Sequence, residues 1–228
     1  MSAFTRYKPS IILLLIIAFV GGSVWYYFEY ESLTLATSSV DGTEVKIGNQ
    51  IWSIENLDVA EFRNGDPIPE AKTEGQWKAF VLAGEPAWCS CISDSFNISY
   101  QKGKLYNFYA VVDRRGLAPQ GWRIPSSDDW KFLFDNLGSE FRAGSKLKSS
   151  DTWSADGIGT NSSGFAGKPF CKRSPSGVID YNNGFVYWWS STGDVNDNAW
   201  YSSLTNSGAA YRGFSHKGCG YPIRCIRE

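Results

Sequence analysis

Large apolar side chains recur at helical spacing near the middle of the chain. Four of them follow one another at intervals of three or four residues: Trp130, Leu133, Phe134 and Leu137. Pro125 holds the segment before them extended, Ser126 or Ser127 can cap the free N–H groups of the next turn, and Gly138 can end a helix. The pattern predicts an amphipathic helix over residues 127–137, with one face buried.

Shorter apolar runs separated by turn residues predict strands on both sides of this helix. Residues 45–47 and 50–54 flank the pair Gly48-Asn49, which is a two-residue hairpin signal. Near the other end, Asp, Asn and Gly turns separate four further runs, at residues 185–190, 199–204, 210–214 and 223–227.

The segments between these elements give weaker signals. Helical spacing predicts a second helix over residues 104–112, and weak helical character indicates a short helix near Trp77. After Gly138 the chain is rich in Gly, Ser, Asn and Asp. We interpret it as a long structured loop held by isolated apolar anchors: Leu147, Trp153, Phe165 and Phe170.

The first residues differ from the rest, because residues 10–28 carry no charged side chain. As a helix this run reaches ~28 Å, which is enough to cross a bilayer. Arg6 and Lys8 precede the run, so the positive-inside rule keeps residues 1–9 in the cytoplasm. A cleaved signal peptide is the alternative, but the apolar stretch continues into an aromatic cluster, which favours an uncleaved signal-anchor. Residues 29–44 suit a stalk, and residues 45–228 form the folded body.

Charge and composition argue against nucleic-acid binding and against an all-helical fold. The chain has 22 Lys and Arg against 23 Asp and Glu, so no basic field exists to attract nucleic acid. It has 10 Trp, 12 Tyr, 14 Phe and 23 Gly but only one Met and one His, a balance that favours short strands and glycine turns over a helical bundle.

Several separated motifs resemble one protein family. They occur in the family's order: GNQIW (48–52), ENL (55–57), RNGDPIP (63–69), GKLYNFYAV (103–111), RGLAPQGWRIPS (115–126), YWWSST (187–192) and IRCIR (223–227). Together they resemble the Fibrobacter succinogenes major paralogous domain, from about residue 45 to the end. The insert around Cys91 and the segment GCGYP (218–222) depart from the usual pattern.

The resemblance implies an α+β, C-type-lectin-like fold that is also similar to formylglycine-generating enzymes and is found on bacterial surface and secreted proteins. It implies no known activity. Our own order of elements fits this fold, with two short helices, small antiparallel sheets, one of which is compact and pairs its first and last strands, and a long structured loop region behind one transmembrane helix.

The five cysteines of an exported domain can oxidise, but their odd number leaves at least one free. Cys89 and Cys225 lie in blocks shared with the family, and we predict a disulfide between them. Cys171 with Cys219 is the second predicted pair, which leaves Cys91 free.

The sequence contains no recognisable catalytic set. The single histidine is His216, and no serine lies in a nucleophile-elbow pattern for which it could act as the base, so we do not expect a hydrolase. The scattered cysteines lack the spacing of zinc ligands, so we do not expect a metal site. The turn around Asp194, Asn196, Asp197 and Asn198 gathers oxygen atoms of the kind calcium prefers, but it lacks a bidentate Glu. We therefore interpret it as a polar turn, with calcium as the alternative.

Alternation along the last strands predicts a contact face. We expect most tryptophans in the core: Trp52, Trp122, Trp130, Trp188 and Trp200. With Trp200, Ser202 and Leu204 inward, Tyr201 and Ser203 turn outward. A turn then brings Tyr211 and Arg212 near them, so the predicted ligand-binding residues are Asp194, Asn196, Asp197, Asn198, Tyr201, Tyr211 and Arg212.

These features favour a membrane-anchored binding or adhesion module over an enzyme. The expected partner is a glycan or protein of the cell envelope, met on the extracytoplasmic side of a bacterial membrane. A structural subunit of an envelope assembly is the alternative. An enzyme would show a deep pocket containing Cys91 or His216 beside a perturbed carboxylate.

The predicted topology is testable by protease protection. Because residues 45–228 are expected outside the cytoplasm, protease added to intact spheroplasts should remove this body. Immunoblotting of the body and of a tag on the cytoplasmic tail measures the result. Survival of the body until the membrane is permeabilised would reverse the orientation, and a mature chain starting near Ser23 would show a cleaved signal peptide.

Overall fold

The computed structural model describes residues 17–20, 23–26, 39–40, 42–91, 102–154, 157, 159–181, 184–194 and 196–228. Two compact units divide the chain, Met1–Thr34 and Leu35–Glu228. The first holds an antiparallel pair, β1 (Ile17–Val20) and β2 (Ser23–Tyr26). We expected a helix over residues 10–28, but eight residues of this segment form these two strands. The other residues of the segment lie outside the described ones. Within the described residues, no helix has the length and apolar character to cross a membrane. The anchor, tail and orientation stay predictions.

Leu35–Glu228 is an α+β unit with few helices and small antiparallel sheets. Its described elements are β3 (Ser39–Val40), β4 (Glu44–Ile47), β5 (Gln50–Ser53), α1 (Glu74–Ala83), β6 (Trp88–Ser90), β7 (Lys104–Tyr106), α2 (Phe108–Val111), β8 (Trp122–Arg123), α3 (Ser127–Asn136), α4 (Glu140–Leu147), β9 (Lys172–Arg173), β10 (Ile179–Asp180), β11 (Phe185–Gly193), β12 (Asn198–Thr205), β13 (Ala210–His216) and β14 (Ile226–Arg227).

The five-stranded sheet joins the two ends of this unit. Its strand order is β3-β4-β5-β14-β8, and Ile226 of the last strand pairs with Trp52 of the first hairpin. The last strand thus joins the sheet of the first hairpin, as expected, but it pairs with the second strand of that hairpin, β5, and not with the first strand, β4. The hairpin turn is also as predicted, because Ile47 pairs with Gln50 across two residues and Gly48 adopts a φ of 60°.

The three-stranded sheet β11-β12-β13 lies between two hydrophobic clusters. Val186 and Trp188 of β11 belong to one cluster, whereas Trp189 belongs to the other and Tyr187 packs against it. Successive residues of a strand point to opposite faces, so both faces of this strand are covered. The sheet is therefore an internal layer along β11.

Four aromatic side chains form the middle of the first cluster. The Trp130 ring centroid lies 4.7 Å from that of Trp52 and 5.7 Å from that of Trp188, and Phe165 meets Trp188 edge-on at 5.6 Å. Such pairs contribute about 0.5–1.5 kcal/mol each beyond their buried area. Among the described residues the buried Nε1 of Trp130 has no hydrogen-bond partner, so packing holds this ring. The expected burial of these three tryptophans is confirmed, but Trp122 and Trp200 are only half-buried.

Helix α3 begins as the sequence predicts. The Ser126 hydroxyl accepts a hydrogen bond from the Asp129 N–H at 3.1 Å, and the Asp129 carboxylate accepts one from the Ser126 N–H at 2.7 Å. This reciprocal capping box satisfies N–H groups that the helix leaves free. The carboxylate also pairs with Arg123 on β8, at 2.8 Å from Nη2. The helix is therefore fixed to the edge strand of the five-stranded sheet.

The predicted helix over residues 104–112 is wrong in its first half. Residues Lys104–Tyr106 form β7 and pair with β6. Asn107 then caps α2, because its side chain accepts a hydrogen bond from the Ala110 N–H at 3.1 Å. Val112, at the end of the expected helix, is 50% exposed. Leu105 and Phe108 are buried in different clusters, which a helical spacing does not reveal.

Two further helices change the expected count. The weak signal near Trp77 is the ten-residue α1. The region after Gly138, predicted to be too irregular for a helix, begins with α4. Its start has no side-chain cap and its interior holds Gly144, so the local signals are weak. A Cβ on Gly144 would overlap the Ala209 backbone, and this close approach to the chain just before β13 holds the helix. The predicted anchors of the following loop are all buried: Leu147, Trp153, Phe165 and Phe170.

The predicted disulfides are wrong. Cys91 pairs with Cys171 across a Cα–Cα distance of 6.1 Å, and the other three cysteines are free: Cys89, Cys219 and Cys225. Cys89 lies in the first hydrophobic cluster and Cys225 in the second, so the packing separates the two residues expected to bond. The pair that forms joins the end of β6 to the residue before β9.

The Asp129 capping box should stabilise the fold in a pH-dependent way. Burial raises the pKa of Asp129, but the hydrogen bonds from Arg123 and Ser126 outweigh it and lower the pKa to about 2. A carboxyl with a lowered pKa stabilises the fold above its unfolded pKa of about 4, and this contribution is lost as the pH falls toward 2. We expect Asp129→Ala to lower the free energy of unfolding by about 1–2 kcal/mol at pH 7, by urea denaturation, and by less at pH 2.

Asp128→Ala is the matched control. Asp128 lies in the same first turn but is exposed and makes no capping bond among the described residues. Its removal should change the free energy of unfolding by about 0.5 kcal/mol or less. Equal losses for the two variants would assign the effect to the helix dipole instead of the cap.

Candidate functional site

The predicted polar turn lies between β11 and β12. The Asp194 N–H donates to the Asn198 carbonyl at 2.9 Å, and the Lys217 N–H donates to the Asp197 carbonyl at 2.8 Å. The Lys217 ammonium also donates to the Asp194 carbonyl at 3.1 Å. The turn is thus fixed by backbone bonds, and a positive charge already lies against it. The described part of the chain has no group of three or more His, Cys, Asp and Glu side chains that could hold a metal ion.

Tyr201 packs inward, which corrects its predicted orientation. Its ring centroid lies 5.0 Å from that of Tyr187 and 5.9 Å from that of Tyr221, against the second cluster. Burial raises the pKa of its hydroxyl. Ser203, also expected outward, is 3% exposed. The side of β12 that carries Tyr201 and Ser203 is therefore covered by other parts of the fold, so alternation placed the wrong side of the strand in solvent.

Tyr211 and Arg212 lie on opposite faces of β13. Tyr211 pairs with Ser203, is 45% exposed as expected, and its hydroxyl lies 3.0 Å from that of Ser207. Arg212 pairs with Ser202 and donates to the Glu140 carboxylate at 2.8 Å. This ion pair ties β13 to the first turn of α4, so Arg212 has a structural role.

The strand pairing creates a face that alternation did not predict. Trp200, expected inward, lies directly across from Phe214 at a centroid distance of 3.9 Å, and Phe214 is 52% exposed. Regular register places alternate side chains of β12 and β13 on this side, of which Ser202, Leu204 and Ala210 are buried. We call the other five the aromatic face: Asn198, Trp200, Arg212, Phe214 and His216. Only Asn198 and Arg212 were predicted as ligand-binding residues. Cross-strand aromatic pairing is the signal that would have revealed the others.

The remaining thiols and the histidine do not form a nucleophile and base. Burial raises the pKa of Cys89, of Cys219 and, to about 12, of Cys225, so these thiols are protonated at neutral pH. His216 is exposed at the end of β13, and its Nδ1 accepts from the Gly218 N–H at 2.9 Å. Two cavities lined by described residues, one at residues 59–63 and 117–120 and one around Arg224, include neither Cys91 nor His216.

Comparison with known families agrees with the sequence motifs. A family model described as the Fibrobacter succinogenes major domain matches residues 45–227. The chain belongs to this family. The Fibrobacter succinogenes major domain thus runs from β4 to β14 and includes the aromatic face. No curated protein and no solved structure matches the chain.

Two tyrosines on one side of the sheet should differ in their effect on stability. Tyr201→Ala removes a ring from the second cluster and should lower the free energy of unfolding by about 2 kcal/mol or more. Tyr211→Ala is the matched control and should change it by about 0.5 kcal/mol or less, because that ring is exposed. Urea denaturation of both variants measures the difference. Small, equal effects would restore the outward assignment of Tyr201.

Proposed function

We propose that the chain is a membrane-anchored binding module whose domain lies on the extracytoplasmic side of a bacterial membrane. Its partner is a glycan or a protein of the cell envelope, and its role is binding without catalysis. The pairing of the last strand with the first hairpin and the small antiparallel sheets suit a C-type-lectin-like fold. Fold alone does not assign an activity, so the proposal depends on the exposed side chains.

The observation that carries the proposal is the exposed ring of Phe214 on the aromatic face. The Phe214 ring packs against the Trp200 ring, which restricts its position, and about half of the Phe214 surface is exposed to solvent. A rigid aromatic ring supplies contact area at a low cost in conformational entropy. Such anchors dominate binding energy when a partner covers them.

The neighbours of Phe214 favour a glycan over a protein. Register places Asn198 and His216 on one side of the ring pair and Arg212 on the other. An apolar ring flanked by hydrogen-bonding groups matches a sugar, which has apolar C–H faces and hydroxyl edges.

The proposal predicts that Phe214 is needed for glycan capture. Phe214→Ala should weaken binding of the full-length chain, in mild detergent, to purified envelope glycan by about tenfold or more. Biolayer interferometry measures the affinity, and thermal unfolding should change little because the ring is half-exposed.

Phe132→Ala is the control, because Phe132 is an exposed aromatic on α3 outside the aromatic face, at 44% exposure. It should bind glycan like the unmodified chain. Equal affinity of both variants would refute the assignment of this face. Capture of an envelope protein in place of glycan, lost in Phe214→Ala alone, would identify a protein partner.

A further inference from the structure

Arg224 is a buried cation whose described partners are all neutral. The residue is 3% exposed, and its guanidinium donates to the carbonyls of Ser53 at 2.8 Å, Phe165 at 3.1 Å and Ala166 at 3.3 Å. Its Nε donates to the Asn56 side chain at 3.1 Å. Buried charges are ordinarily paired with an opposite charge. No described carboxylate forms an ion pair with this guanidinium, and one N–H of Nη2 has no partner among the described residues.

Arg224 stays charged despite its burial. Burial lowers its pKa to about 10, against the opposing field of Glu55. At neutral pH the guanidinium therefore carries a full positive charge. Its fifth N–H and its charge are both available to an anion that reaches it.

Asn56 is oriented beside this cation. Its Oδ1 accepts from Arg224 and also from the Trp188 indole at 2.8 Å. Two donors on one oxygen fix the carboxamide, so its Nδ2 is turned away from both of them. Among the described residues Nδ2 has no acceptor, which leaves its two N–H groups available.

Arg224 and Asn56 line a cavity of about 310 Å³ together with two lysines. The lining residues are Ile54, Glu55, Asn56, Lys102, Ala166, Lys168 and Arg224. Neither Lys102 nor Lys168 forms a hydrogen bond or ion pair with another described residue. Three cations against one carboxylate give the described lining of the cavity two net positive charges. Its volume is at the lower end of the range for ligand pockets, which suits one small molecule or one unit of a polymer.

We propose that this cavity binds a sugar acid, that is, a carboxylate attached to a hydroxylated ring. The carboxylate accepts from Arg224 and the two lysines, and the ring hydroxyls accept from Asn56 Nδ2 and donate to Glu55. Charge-assisted hydrogen bonds of this kind are among the strongest in proteins.

The cavity offers several hydrogen-bond donors and one acceptor, Glu55, and this combination favours a sugar acid over other anions. Chloride and sulfate have no proton to give Glu55, so either would leave a carboxylate unpaired beside it. An amino acid with an uncharged side chain would satisfy Glu55 through its ammonium group, but it is neutral overall and would leave the two net charges of the lining uncompensated. A sugar acid supplies one negative charge and several hydroxyl donors. This site shares no residue with the aromatic face and does not depend on the proposed function.

The test measures binding of D-galacturonate to the full-length chain in mild detergent by isothermal titration calorimetry. We expect galacturonate to bind at least about tenfold more tightly than D-galactose or acetate, because each lacks one half of the recognised group. Lys102→Gln with Lys168→Gln should weaken galacturonate binding by about tenfold or more. These side chains have no described partners, so the double variant should fold normally.

Lys46→Gln with Lys78→Gln is the matched control, because both lysines are exposed and lie outside the cavity. It should bind galacturonate like the unmodified chain, as should Phe214→Ala. Absence of galacturonate binding, equal binding of acetate, or tighter binding of L-glutamate would overturn the proposal. Loss of binding in Phe214→Ala would also overturn it, by placing the sugar acid on the aromatic face.

Discussion

The packing of Trp188 determines how the parts of the domain are joined. From β11 its ring meets Trp130 of α3 and Phe165 of the long loop, and its indole N–H donates to Asn56 after the first hairpin. One side chain thus connects the three-stranded sheet, a helix, a loop and the five-stranded sheet region. Because aromatic contacts need close, specific distances, each of these segments is positioned relative to the same ring.

Elements with local sequence signals of their own were predicted correctly. Features that depend on contacts between distant residues were not. Helix α3 and the Gly48-Asn49 hairpin carry their own caps and turn residues, so their prediction needed no knowledge of the fold. Helix α4 depends on the approach of Gly144 to Ala209, and the Cys91–Cys171 disulfide depends on which cysteines share a cluster. Neither relation is encoded between neighbours along the chain.

The candidate site shows the same limit in another form. Alternation along β12 correctly separated Trp200 from Tyr201, but it assigned them to the wrong environments. Tyr201 packs against a second cluster, and Trp200 lies beside the exposed Phe214 at the outer strand. A two-residue period tells which residues share a face, whereas the layers outside the sheet decide which face meets solvent. Those layers come from distant parts of the chain.

The union of β14 with the first hairpin has a consequence for how such domains spread. Arg227, next to the final residue, donates to the Glu44 carboxylate at 2.8 Å, so the two ends of the domain are held close together in one sheet, with only β5 between their strands. A unit that enters and leaves at one place can be spliced into a surface loop of a host protein without separating the loop's ends. Recombination can therefore insert this domain into unrelated proteins, where it folds as one unit.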